Sequence, residues 1–103
     1  VDLEWSPRAD REVMQLRDYI AQDSLVYANQ FIERLIMAVE NLQIFPLQGR
    51  PLPEAGYQDH IREIIFRGYR IIYRIHNEEL LQVVSVLHGA RNMADLNPLP
   101  WQV

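Results

Sequence analysis

The chain has 103 residues, 49% of them apolar, a formal net charge of -4 and neither cysteine nor lysine. That length and apolar content suit one complete two-layer domain and exclude a disordered chain, while the net acidity excludes coating nucleic acid by bulk attraction. Disulfides and zinc–thiolate sites fall away with cysteine, which fits a reducing cytoplasm, and no apolar run reaches the roughly 20 residues needed to cross a bilayer.

Asp2 to Trp5 reads as a short strand. Ser6 and Pro7 then look like a helix N-cap followed by the first helical residue, where a missing N–H is harmless. Ala9, Val13, Leu16 and Ile20 place one apolar stripe on a helix of about 16 residues. Asp23-Ser24 interrupts that pattern and offers a second cap. The next helix buries Ala28, Phe31, Leu35, Val39 and Leu42, with Ile32, Ala38 and Phe45 widening the face and Pro46 setting the end. So short a link makes the two helices an antiparallel hairpin. Trp5 is expected in the core beside the first cap.

From Pro46 to His60 the prolines and glycines indicate a structured loop. Ile61 to Arg67 and Tyr69 to Ile75 read as strands around a tight Arg67-Gly68 turn, and Asn77 to Glu79 supplies the reversal before a strand from Leu80. The predicted fold is α+β: a small antiparallel sheet packed against an N-terminal helical hairpin, in the order β-α-α-β-β-β. Residues 92–103 form a tail without a clean period, in which Trp101 is expected to dock on the body or on a partner.

Charge is unevenly spread. Residues 1–60 hold five arginines and ten acids, whereas 61–103 hold five arginines and four acids. Every permanent cation is a planar fork suited to bidentate contact with carboxylate or phosphate. With a two-residue turn, Phe66 opposes Tyr69, Ile64 opposes Ile71 and Arg62 opposes Tyr73 on the face expected to meet the helices. The other face carries Glu63, Ile65, Arg70, Ile72 and Arg74. On the last strand the set Leu80, Gln82, Val84, Val86 and His88 is expected on that same outward face. Arg70 and Arg74, straddling Ile72 with Val84 and His88 nearby, make a surface suited to an acidic partner, to which Trp101 adds an anchor. Arg50 is expected to hold its loop and Arg67 to be a solvated turn residue. Three dispersed histidines make no metal site, no cofactor motif is present, and neither a phosphate loop nor a serine nucleophile elbow occurs.

Four blocks carry a family resemblance: L-E-W-S-P-R-A from Leu3; N-L-x-x-F-P-L-Q-G-R-P-L-P-E from Asn41 to Glu54; R-E-I-I-F-R-G-Y-R-I-I-Y-R-I from Arg62 to Ile75; and V-L-H-G-A-R from Val86 to Arg91. In this order they resemble the ParE/RelE superfamily of bacterial toxins from type II toxin–antitoxin pairs, and its ParE side in particular. The resemblance implies a cytoplasmic toxin neutralised by a ParD-like or similar antitoxin, forming a hetero-oligomer with it. ParE-like members poison DNA gyrase, which makes gyrase inhibition without covalent chemistry the first expectation. RelE-like members cleave messenger RNA on the ribosome. For a ribosome-dependent endoribonuclease the resemblance implies Arg70 as phosphate clamp and His88 as acid or base, with Arg62, Arg91 and Glu54 in support. The loop from Leu47 to Glu54 lacks the lysines of one ribonuclease branch, and no tyrosine follows His88 closely as in another. An inactive homologue retained as a partner-binding module is the third implication.

Overall fold

The computed structural model describes residues 1–102, so Val103, the last residue of the predicted tail, lies outside the described residues. The first strand, β1, runs Asp2–Trp5, and the helices α1 and α2 run Pro7–Ala21 and Leu25–Glu40. Both helix starts follow the capping logic of the sequence: Ser6 Oγ accepts from the Ala9 N–H at 3.0 Å and Ser24 Oγ from the Tyr27 N–H at 3.1 Å. These contacts satisfy amide donors that the first helical turn leaves free. After α2 the chain tightens into a 3-10 turn over Asn41–Gln43. That change of pitch ends the apolar stripe at Leu42, and Phe45, expected to widen the buried face, is 59% exposed.

The remaining strands are β2 (Arg50–Pro51), β3 (Ile61–Phe66), β4 (Tyr69–Ile75) and β5 (Leu80–His88). They form one five-stranded sheet in the order β1-β5-β4-β3-β2. All pairings are antiparallel except the parallel contact of β1 with β5. The two-residue β2 is the one strand absent from the sequence reading; it lies inside the loop between Pro46 and His60. Arg67 and Gly68 both take positive φ, 46° and 85°, which gives the hairpin a tight turn matching the twist of its strands. Phe66 therefore pairs with Tyr69, Ile64 with Ile71 and Arg62 with Tyr73, as the two-residue turn dictates.

Each sheet face has its own core. On the helix side, Ala9, Leu16, Phe31, Leu35 and Val39 of the hairpin meet Ile71, Tyr73, Leu81, Val83 and Val86, with Trp5 packed against them. On the other side Ile72, Val84 and Leu87 meet Leu52, Ala55, Ile61, Met93 and Leu96, with Leu99 and Trp101 alongside. The outward face expected to meet solvent or a ligand is thus covered by the chain's own loop and tail: Ile72 is 0% and Val84 2% exposed. Among the described residues no helix is long and apolar enough to cross a membrane.

The last strand departs from strict alternation. A bulge interrupts the β4–β5 ladder at Ile72/Tyr73, where the partners jump from Ser85 to Val83 and pass over Val84. Gln82 and Val84 lie on the tail side, but beyond the bulge Val86 joins the helix-side core and Leu87 the tail-side core. His88 follows Val86, its ring against the edge of Tyr69 at 5.3 Å, and Tyr69 in turn packs on Phe31 of α2 at 5.8 Å. The expectation that Val86 and His88 share a face with Arg70 is therefore corrected: one extra residue reverses the alternation.

Candidate functional site: an arginine–glutamate cluster on the tail side of the sheet

Arg70 leaves β4 on the tail side, in register with Ile65 of β3 and Leu87 of β5. Glu63 lies diagonally across the β3–β4 pair from it, within reach of a long side chain. The Arg70 guanidinium donates from Nη2 to Glu63 Oε2 at 2.5 Å and from Nε to Glu63 Oε1 at 3.3 Å. Glu54, on a 3-10 turn over Pro53–Ala55, closes the other edge of the fork, accepting from Arg70 Nη1 at 2.7 Å and from Nη2 at 2.9 Å. The short β2 sets Arg50 opposite Glu63, and Arg50 Nη2 donates to Glu63 Oε1 at 3.3 Å. Two cations and two anions thus form one compensated cluster, beside a depression of about 420 Å³ that Ile65, Gly68 and Gly89 also line.

Its electrostatics follow from the geometry. The Glu63 side chain has no solvent exposure, and such a carboxylate is tolerated inside a protein because it is doubly paired and hydrogen-bonded. The hydrogen bond from Arg70 holds the Glu54 carboxyl below its ordinary value. Reciprocally, the bonds to Glu54 and then Glu63 hold the Arg70 proton more tightly than in free arginine. Arg70 is therefore a fixed cation with both edges of its fork occupied, and Glu54 is held as the ionised form.

The other candidate residues are dispersed. Arg62, 9% exposed, lies near the sheet end and is tied to its own loop. Its Nη1 donates to the Gly49 carbonyl at 2.7 Å, its Nε to the Asp59 carbonyl at 2.8 Å and its Nη2 to Asp59 Oδ1 at 2.6 Å. His88, on the helix-side face, accepts at Nδ1 from the Ala90 N–H at 3.1 Å. Arg91 is exposed just beyond the turn after β5. Arg74 is half-buried, donating from Nη2 to Gln82 Oε1 at 3.2 Å and from Nη1 to the Trp101 carbonyl at 3.4 Å. Arg67 stands over the rings of Phe66 and Phe31, at 5.4 and 5.9 Å from their centroids, so it is an aromatic cap as well as a turn residue. The structure brings together Arg70, Glu54, Glu63 and Arg50, places Arg74, Ile72, Val84 and Trp101 on the same face, and sets Arg62, His88 and Arg91 apart.

Sequence reasoning missed one polar anchor altogether. Glu12 of α1 accepts at Oε1 from Ser85 Oγ at 2.7 Å and from the Val86 N–H at 3.2 Å. It thereby satisfies the backbone donor beside the bulge. The available signal was Ser85 itself, a hydroxyl in the middle of an apolar strand that had to find an acceptor once buried.

A helical hairpin laid on one face of a small, mostly antiparallel sheet, with a parallel N-terminal edge strand, defines the RelE/ParE-like class of α+β folds. A solved structure titled "Chromosomal ParDE TA system from P. aeruginosa" shares that fold with a TM-score of 0.71 at 17% identity, the match covering 85% of this chain and 95% of that one. No curated protein matches the chain. The family profile described as "ParE toxin of type II toxin-antitoxin system, parDE" matches residues 3–93. The chain belongs to that family of ParE toxins, and membership of a toxin–antitoxin system implies a cognate antitoxin as its partner.

Proposed function

We propose that the protein inhibits DNA gyrase by binding it, without covalent chemistry of its own, and is neutralised in the cytoplasm by its cognate antitoxin. The observation that carries this reading is the separation of the ribonuclease candidates. Arg70 has both edges of its fork occupied by Glu54 and Glu63. His88 is on the other face of the sheet against Tyr69. Strand-scission chemistry needs a phosphate-binding cation and an acid or base converging on one phosphodiester. Here the cation is engaged and the histidine faces away from it. The ParE family membership supports the same choice.

The test compares both targets directly. Toxin freed of its antitoxin is expected to block supercoiling by purified gyrase and to accumulate gyrase-cleaved DNA, while leaving ribosome-bound messenger RNA intact. Cleavage of that RNA, abolished by His88→Ala, would establish the ribosome-dependent endoribonuclease instead. Inertness of the free toxin in both assays would leave it a partner-binding homologue.

A further inference from the structure

Two arginines leave β4 toward the tail side of the sheet, and their surroundings differ. Arg70 has two carboxylates on its fork. Arg74 has none among the described residues. Its two acceptors among the described residues are neutral, and the Trp101 carbonyl is at the long end of hydrogen-bonding distance. Its Nε–H is buried and has no acceptor among the described residues. Gln82, which accepts from Arg74, donates in turn from Nε2 to Glu4 Oε1 at 3.0 Å, so Glu4 bonds to the amide and does not form an ion pair with the guanidinium.

A guanidinium cannot shed its proton to escape such a setting, and a buried donor left unpaired is costly. We propose that Arg74 is the receptor for a carboxylate carried by an acidic and apolar segment of the cognate antitoxin. This rests on reading the chain as an antitoxin-neutralised toxin. The carboxylate enters side-on, taking the Nε–H together with an Nη2–H, on the edge of the fork away from the Nη1 contact with the Trp101 carbonyl. Such a pair is charge-assisted and bidentate, the strongest form available to arginine. The apolar part of the segment matches the surroundings, because Trp101, Leu99 and Pro100 border this end of the tail-side face. A nucleic-acid phosphate is a poorer occupant, since the protein as a whole carries a charge of -4 and repels an extended polyanion. Arg70, already compensated in cis, is not the receptor.

The experiment is titration calorimetry of purified toxin with the purified product of the reading frame adjoining its gene. The toxins compared are wild type, Arg74→Gln, and a double variant, Glu4→Gln with Gln82→Glu. The double variant gives Arg74 an acid in cis and leaves the neighbouring amide–carboxylate bond in reversed form. It is expected to melt no lower than wild type, which keeps the test meaningful if Arg74→Gln folds poorly. Both variants are expected to weaken binding about 10- to 100-fold, the loss of one charge-assisted bidentate contact. Binding within about twofold of wild type in both variants would overturn the proposal alone. Wild-type toxin that ignores the neighbouring product would overturn the antitoxin reading and the proposal with it.

Discussion

Glu63 shows how much one side chain depends on context. Flanked by Arg62 on its own strand, it is the only acid between Ile61 and His76, and nothing in its sequence neighbourhood indicates complete burial. Its diagonal contact with Arg70 follows from the hairpin register, which was legible, but its contact with Arg50 required β2, which was not. Arg70→Ala leaves Glu63 buried against Arg50 alone. Breaking a buried pair from one side costs about 3–5 kcal/mol. Urea denaturation is expected to show a loss of that order, and a loss under about 1 kcal/mol would mean that solvent reaches Glu63 on removal of its partner. Glu54 makes a weaker prediction with a definite sign. Its folded pKa lies below the ordinary 4.5, so its contribution is present above that pH and disappears as the pH falls through the folded value. Glu54→Gln is expected to melt slightly below wild type at neutral pH and to converge with it in acid. Because the carboxylate is about one-third exposed, the neutral-pH difference should stay under about 1 kcal/mol.

Among the elements, the helices and the β3–β4 hairpin were legible because local chemistry specifies them. Ser6-Pro7 and Ser24 cap, the apolar stripes repeat at helical spacing, and Arg67-Gly68 accepts positive φ. The β5 bulge has no comparable backbone mark: no glycine or proline lies between Leu80 and His88, and the run from Val83 to Leu87, interrupted only by Ser85, reads equally well in either phase. Its position is fixed by a tertiary contact, Glu12 of α1 receiving Ser85 and the Val86 N–H. Glu12→Ala would leave the Val86 amide unpaired inside the protein, at a cost of about 1–3 kcal/mol. A melt unchanged by that substitution would mean that the bulge forms without Glu12. The loop before β2 has its own anchor. Tyr73 Oη donates to the Pro46 carbonyl at 2.7 Å and accepts from the Gly49 N–H at 2.9 Å. A Cβ at position 49 would come within 2.5 Å of the Glu63 carbonyl oxygen and 2.6 Å of Tyr73 Oη. Gly49→Ala is therefore expected to destabilise by about 2 kcal/mol or more through overpacking, and to loosen Arg50 from Glu63. Limited proteolysis between Gln48 and Tyr57 would report that loosening.

At the scale of the molecule, the sheet separates two cores of unequal support. The helix-side core is bounded by a helical hairpin whose backbone hydrogen bonds are internal. The tail-side core is closed by residues 93–102, which carry only two short 3-10 turns and few polar ties, among them Arg8 Nη1 to the Pro98 carbonyl at 3.1 Å and the long Arg74–Trp101 contact. Regions with few buried contacts and solvent-exposed hydrogen bonds open at lower free energy than the global transition. The chain supplies one tryptophan to each side: Trp5 packs against the helix-side core and Trp101 against the tail-side core. In the single-tryptophan variants Trp101→Phe and Trp5→Phe, fluorescence follows each side separately. The Trp101 emission is expected to shift to the red at a lower urea concentration than that of Trp5, while far-UV circular dichroism follows Trp5. Coincident transitions would show instead that the tail unfolds as one cooperative unit with the sheet. The same asymmetry limits what sequence could reveal of the site. An outward face with two arginines around Ile72 was legible as a surface suited to an acidic partner. Its cover in cis came from the loop and from a tail without periodicity, which left Arg70 compensated by loop and strand acids and Arg74, among the described residues, without an acid.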